Sequence, residues 1–330
     1  MSTQSIRTLL SGIVDYAGLF PPAKLDMAPT VRNYAAHRAG RHAWMLGRLV
    51  LPTARLGECA EAIERLCESP GPEEAWGGVW RITALVAGAG ERDKLRADLD
   101  AAHAFNDRYA PADDEAEPVD DGEAPLPRAG MPALLVDCIE TKADNPNHID
   151  SALHVIPEGL QAFFEIPIDR DPRGLVTALA GEPGVGAKVR TGGVTPEAFP
   201  TVENLARFIG ACAAASTPFK ATAGLHHPLR AEHRLTYEPN PPRATMFGFL
   251  NVFLAAALAQ AEHGPPGALA AMLDESSADA LRFGDLGVAW KSVRLDNARL
   301  ARARETLALS FGSCSFEEPV QDLRAMGLLE

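Results

Sequence analysis

Three basic side chains lie within two short apolar stretches of the sequence, and they are the residues best suited to chemistry. The stretch GAKVRTGG (186–193) contains Lys188 and Arg190, and TPFKATAGLHHP (217–228) contains Lys220. A desolvated lysine beside a second cation favours the neutral amine, which is nucleophilic. An arginine can bind an anion through its forked donors. The two stretches therefore indicate a site for a small anionic molecule.

Alternation of side chains along a strand brings these cations to one face. Successive side chains point to opposite sides, so Lys188 and Arg190 share a face. On the next strand, Lys220 shares a face with Thr222 and Gly224. The intervening residues are apolar or small and suit a surface that helices cover. The cations are therefore predicted to point into the interior of a barrel, unless they are simply buried ion pairs with interior carboxylates.

Carboxylates are predicted near the same strand ends. Glu165 lies in FFEIPID, at the end of the fifth predicted strand, and is the best placed to act as a general acid or base. Asp15 ends the first strand. Glu140 lies on the fourth strand, where its odd spacing from Asp137 puts the two carboxylates on opposite faces. Each of these groups could instead form an ion pair with a cation.

Two adjacent histidines, His226 and His227, follow the seventh predicted strand in a loop that would overhang the site. They are predicted to bind substrate or transfer a proton. Neighbouring histidines diverge on an extended backbone, and the sequence has no HxH or HExxH, so no metal site and no cofactor are predicted. A metal-assisted reaction that uses this histidine loop with Glu165 and Glu140 stays an alternative.

Apolar runs and longer helical patterns alternate along the chain. Eight runs are predicted as strands: 12–17, 45–52, 79–87, 132–140, 160–168, 186–191, 218–224 and 280–286. Helical patterns occupy 28–40, 56–69, 91–106, 201–215 and 248–263. Near-continuous apolar strands separated by helices are typical of a covered parallel sheet. An α/β fold is predicted, a single (β/α)8 TIM-type barrel over residues 1–330. A doubly wound open sheet is the alternative, although no GxGxxG follows the first strand.

Two segments fall outside this alternation. Residues 110–128 hold seven acidic residues and four prolines, and are predicted to form an acidic, disordered, mobile insertion within the barrel domain. Residues 310–330 are predicted to form a loop and a closing helix.

The net charge and the cysteine content limit which partners and which cellular location are expected. The formal net charge of −13 argues against nucleic acid or an anionic membrane surface as a partner. Five cysteines with no CxxC are typical of free thiols, and no signal peptide is recognisable, so a cytoplasmic protein is expected. A homo-oligomer is left open.

The segments AKVRTGGVTPEAF and FIGACAAASTPFKATAGL, between residues 187 and 225, resemble the sixth and seventh strands of deoxyribose-phosphate aldolase and related class I aldolases. The resemblance implies that Lys188 is the imine-forming lysine and that Thr191 and Gly192 stand at the family's T-G. It also implies that Lys220 is a second lysine whose charge lowers the pKa of Lys188. Arg190 stands where the family has a small polar residue.

The resemblance leaves the anionic group of the substrate open. The stretch LRFGDLGVAW, taken as the last strand, has no glycine turn of the kind that cradles a phosphate, so a carboxylate is an equal candidate. The leading hypothesis, which the resemblance implies, is a Schiff-base lyase of aldolase type that acts on a small anionic carbonyl compound. The alternatives are the metal-assisted lyase or hydrolase and a non-catalytic barrel that binds an anionic metabolite.

Overall fold

A computed structural model describes residues 2–68, 76–111, 130–261 and 267–330 of the chain. Its strands are β1 (Val14–Tyr16), β2 (Leu46–Pro52), β3 (Val79–Leu85), β4 (Ala133–Lys142), β5 (Gln161–Glu165), β6 (Val185–Arg190), β7 (Phe219–Thr222), β8 (Ala231–Arg234), β9 (Arg243–Met246), β10 (Leu281–Gly284), β11 (Gly287–Trp290), β12 (Val293–Asp296) and β13 (Ala308–Ser313). Strands β1 to β7 and β13 pair in parallel and close into one eight-stranded barrel. The predicted (β/α)8 architecture is confirmed.

Helices connect the strands and cover the barrel. They are α1 (Gln4–Leu10), α2 (Met27–Arg38), α3 (Leu56–Cys67), α4 (Arg92–Tyr109), α5 (Pro146–Leu153), α6 (Arg173–Leu179), α7 (Val202–Ala214), α8 (Phe249–Gln260), α9 (Ala268–Leu273), α10 (Asn297–Thr306) and α11 (Glu317–Ala325). Several begin at a capping side chain: Asn145, Thr201 and Asp296 each accept a hydrogen bond from a backbone N–H of the first turn. None of the helices in the described ranges combines the length and hydropathy of a membrane span.

The prediction that 280–286 forms the eighth barrel strand is wrong. Residues Leu281–Gly284 do form a strand, but it pairs antiparallel with β11 in a separate three-stranded sheet. The barrel is closed instead by Ala308–Ser313, which lies between β1 and β7. Residues 310–313 of this strand fall in the predicted loop, because serine and glycine interrupt the short apolar pattern. The helix predicted after it is present as α11.

The correct last strand changes the argument about the anionic group. β13 ends in Gly312 and Ser313. The absence of a phosphate-binding glycine turn applies to LRFGDLGVAW, which is not the last strand of the barrel. Phosphate and carboxylate therefore stay equally open as the anionic group of the substrate.

The structure adds a small antiparallel hairpin, β8–β9, directly after β7 on the side of the predicted site. Except for residues 110 and 111, the acidic insertion predicted at 110–128 lies outside the described residues. The assignment of the whole chain to one domain stays a prediction.

Candidate functional site

One carboxylate inside the barrel binds both lysines. Oε1 of Glu140 lies 2.7 Å from Nζ of Lys220, and Oε2 lies 2.6 Å from Nζ of Lys188. The strand register explains why both lysines reach the same carboxylate, because Lys188 and Lys220 are direct partners in the β6–β7 pair. Their side chains point to the same side of the sheet, into the barrel, and Glu140 reaches between them from β4. Both lysines are almost fully buried, at 4% and 1% relative exposure.

The network continues from Lys220 towards the first strand. Nζ of Lys220 lies 2.8 Å from Oδ2 of Asp15, which is 1% exposed. The hydroxyl of Ser310 donates a hydrogen bond to Oδ2 of Asp15 at 2.6 Å, and the backbone N–H of Arg48 donates to Oδ1 at 2.8 Å. Asp15 is therefore a buried side chain with three polar partners, and it anchors Lys220.

At the other end, the network reaches the barrel mouth. Nζ of Lys188 lies 3.0 Å from Oε2 of Glu165, and Nε of Arg190 lies 3.5 Å from Oε1 of the same carboxylate. The side chain of Arg190 is 50% exposed. Charges thus alternate from the buried interior to solvent, in the order Asp15, Lys220, Glu140, Lys188, Glu165, Arg190.

A cavity of about 400 Å³ lies at the carboxyl ends of the strands, where barrel active sites are found. Its lining includes Glu140, Glu165, Lys188, Arg190, Thr222 and His226. Lys142, which follows Glu140 by two residues on β4, also lines it. Lys220 and Asp15 are not among the lining residues. They belong to the layer below, where Nζ of Lys220 stands 5.3 Å from the ring centre of Phe163.

The pKa of Lys188 is raised above its ordinary value. Burial lowers this pKa, but the carboxylates of Glu140 and Glu165 outweigh burial. For Lys220, burial also lowers the pKa, and Asp15 and Glu140 outweigh it in the same way. The expectation that the pKa of Lys188 lies below its ordinary value is therefore wrong. The reason is that a carboxylate stands between the two ammonium groups.

The pKa values of the two glutamates shift in the opposite direction and lie below their usual value. Burial raises the pKa of Glu140, but the two ammonium groups outweigh burial and hold it at about 2. Burial likewise raises the pKa of Glu165, while Lys188 and Arg190 bring it below its usual value. All four groups are therefore charged at neutral pH.

Acid should weaken the fold through Glu140. Its pKa falls from 4.5 to about 2 on folding, which corresponds to about 3 kcal/mol of stability. This contribution is complete above about pH 4.5 and is lost as the pH falls towards 2. Urea unfolding of the wild type and of Glu140→Gln at pH 7, 4.5 and 3 measures it. The wild type should lose more stability than the variant across this range, and equal losses would contradict the assignment.

Other predicted substrate contacts have mainly structural positions. The hydroxyl of Thr191 is buried and donates to the backbone carbonyl of Ala223 at 2.6 Å, so it ties β6 to the chain after β7. Gly192 and Gly224 are in close contact with each other. A Cβ added to Gly224 would lie 3.0 Å from Cα of Gly192, and the φ of Gly224 is +74°. Thr191 and Gly192 do not line the lysine cavity, whereas Thr222 does.

The two adjacent histidines face different surroundings. His226 lines the lysine cavity and also a second chamber of about 450 Å³ beneath the β8–β9 hairpin, whereas His227 lines the second chamber alone. Both pair with acidic residues of α11: Nδ1 of His226 with Glu318 at 2.9 Å, and Nδ1 of His227 with Asp322 at 2.5 Å. Among the described residues, no group of three or more His, Cys, Asp or Glu side chains is placed to hold a metal ion.

Sequence reasoning missed three contributors to the site. Ser310 and Glu318 lie in segments predicted as loop or packing helix, far along the chain from their partners. Lys142 follows Glu140 at the strand spacing of two, so the same alternation that placed Lys188 and Arg190 could have identified it.

The fold and site together define a parallel eight-stranded barrel with a buried lysine–carboxylate network at its mouth. A structural search finds similarity to a protein from Coccidioides immitis that is described as a member of the dihydrodipicolinate synthase family. The identity is 16% and the TM-score 0.35, over 67% of this chain and 63% of that protein's chain. No family model matches the sequence, and a search of curated proteins finds no match. A TM-score of this size carries no argument about activity, so the function must be inferred from the site itself.

Proposed function

We propose that the protein is a lyase of class I aldolase type, which forms an imine between Lys188 and a small anionic carbonyl compound. The observation that carries the proposal is the position of Lys188: its amine is buried at the base of an open cavity and is held between two carboxylates at 2.6 and 3.0 Å. The local resemblance of residues 187–225 to class I aldolases supports the same assignment.

The resting ammonium of Lys188 must first lose a proton, and Glu165 is the acceptor in this proposal. Glu140 is held by two ammonium groups and has a pKa of about 2, so it is a weaker base. Once neutral, Nζ adds its lone pair to the carbonyl carbon. Two of the three ammonium protons leave with the carbonyl oxygen as water, with Glu165 passing them on, and the third stays on the iminium nitrogen. The iminium then accepts the electron pair of the bond that breaks next to it.

Two cationic side chains at the rim of the cavity support the proposal that the substrate is an anion. Arg190 and Lys142 both line the cavity, and Arg190 retains half of its side-chain exposure. An anionic group of the substrate can displace the long 3.5 Å contact of Arg190 with Glu165 and take its place. This exchange would free Glu165 to act as a base when substrate is present.

Borohydride trapping tests the proposal. The protein is incubated with a panel of keto acids and aldehydes, carboxylated and phosphorylated, then reduced, digested and analysed by mass spectrometry. The expected result is a reduced adduct on the peptide that contains Lys188. If no carbonyl compound gives an adduct and turnover of any compound is stopped by a chelator, the metal-assisted alternative is favoured. Binding without turnover or adduct would favour the non-catalytic barrel.

A further inference from the structure

His226 is the histidine that joins the two chambers of the molecule. It follows β7, lies in the wall of the lysine cavity, and also faces the chamber beneath the β8–β9 hairpin. Its side chain is 9% exposed, so its position is set by packing and hydrogen bonds. The aldolase-type reaction proposed above does not yet use this residue.

The C-terminal helix α11 fixes the orientation of the His226 ring. Oε2 of Glu318 lies 2.9 Å from Nδ1 of His226, and the hydroxyl of Tyr237 donates to Oε1 of the same carboxylate at 3.0 Å. Burial raises the pKa of Glu318, but hydrogen bonds from His226 and Tyr237 outweigh burial and hold it below its usual value. Glu318 is therefore an ionised acceptor, and Nδ1 of His226 must carry the hydrogen of the shared bond.

This tautomer places the lone pair of the ring on Nε2. No hydrogen-bond partner for Nε2 is found within the part of the chain that the structure describes. His226 lines the lysine cavity, and a histidine whose one ring nitrogen is held by a carboxylate is suited to act as a general base through the other.

We propose that His226, oriented by Glu318, moves the proton at the substrate carbon next to the imine; this rests on the imine at Lys188. In the step, the C–H bond breaks and its electron pair forms the C=C bond of an enamine. The π pair of the C=N bond becomes the lone pair of the Lys188 nitrogen, and the proton goes to Nε2 of His226. The reverse transfer returns the proton when the enamine is converted back to the iminium.

The other groups of the cavity have different assignments. Glu140 is bound to Lys220 through one oxygen and to Lys188 through the other. Glu165 lies beside the nitrogen of Lys188 and handles the protons that leave as water. In the proposal, His226 moves the proton at the substrate carbon and Glu165 moves the protons of the Lys188 nitrogen. Each proton transfer therefore has its own side chain. His226 reaches the cavity from the chain after β7, and Glu165 from β5.

Proton exchange at the substrate carbon tests this assignment. With the carbonyl compound that gives the borohydride adduct, NMR in D2O follows the loss of the α-proton signal. We expect His226→Gln to retain the adduct at Lys188 and to slow exchange by a factor of about 100, as removal of a general base does. Glu318→Gln, a positioning variant, should slow exchange about tenfold and leave adduct formation intact.

His233→Gln is the matched control. His233 lines the second chamber but not the lysine cavity, and its ring stacks on that of His227, so its replacement should leave exchange unchanged. Wild-type exchange rates in His226→Gln, together with a normal adduct, would overturn the role of His226. Absence of an adduct in the wild type would instead overturn the imine. Circular dichroism checks that each variant is folded.

Discussion

Lys188→Met should lose turnover by a factor on the order of 10⁴ or more, because the variant lacks the amine that forms the imine in the proposed reaction. Nζ of Lys188 is the only lysine amine that both lines the cavity and is bound by two carboxylates, as judged from the described residues. Lys220 lies below the cavity, so its amine is not expected to form the imine. The measurement is the rate of turnover of the compound that gives the borohydride adduct.

Lys188→Arg separates the nucleophile from its charge. Arginine keeps a cation near Glu140 and Glu165 but stays protonated and forms no imine. We expect this variant to be as inactive as Lys188→Met, while retaining more of the stability. Lys188→Cys alkylated to an aminoethyl side chain restores an amine at nearly the same place, and it should recover measurable turnover. An active Lys188→Arg protein would show that charge alone suffices and would end the imine proposal.

Alternation of side chains explains why part of the site could be predicted from sequence. Parity placed Lys188 and Arg190 on one face and assigned Glu140 and Asp137 to opposite faces of β4. In the structure Lys188, Arg190 and Glu140 line the cavity. Asp137 pairs with Arg48 at 2.7 Å and with Arg81 at 2.6 Å, and the β3–β4 register skips Asp137, so the alternation does not carry through to Glu140. Parity therefore holds for the regular strand that carries Lys188 and Arg190.

What could not be predicted depends on partners distant in sequence. Leu281–Gly284 and Ala308–Ser313 have similar short patterns, and only pairing with β1 and β7 shows which of them closes the barrel. The pairing of His226 with Glu318 joins positions 92 residues apart and leaves no local signal.

The prediction that the pKa of Lys188 is lowered fails for a related reason. Two lysines on neighbouring strands suggested mutual repulsion, which would lower the pKa of Lys188. The carboxylate of Glu140, supplied from β4, accepts an ion pair from each ammonium and reverses the sign. The net effect on a buried charge depends on all groups around it, including those from other strands.

Lys220 is expected to contribute more to stability than any exposed lysine of the chain. It is 1% exposed and its amine contacts two carboxylates, at 2.8 and 2.7 Å. Lys220→Met removes the cation but leaves Asp15 and Glu140 buried, and breaking a buried pair in this way costs about 3–5 kcal/mol. Urea denaturation at pH 7 measures the loss. Lys142→Met, the same substitution at the exposed rim of the cavity, should change the free energy of unfolding by less than about 0.5 kcal/mol.

The carboxylates from which Lys220→Met removes a cation, and not the lost side-chain volume, should account for the loss of stability in this variant. In Lys220→Met, Asp15 loses its lysine partner, whereas Glu140 keeps its contact with Lys188. The double variant Lys220→Met/Asp15→Asn also removes the carboxylate of Asp15. It should therefore recover part of the stability that Lys220→Met loses. The deficit of the single variant should also shrink as the pH falls, because an unpaired buried carboxylate takes up a proton more readily than a paired one. A deficit below about 1 kcal/mol at pH 7, or one that grows in acid, would show that the Lys220 network does not stabilise the barrel.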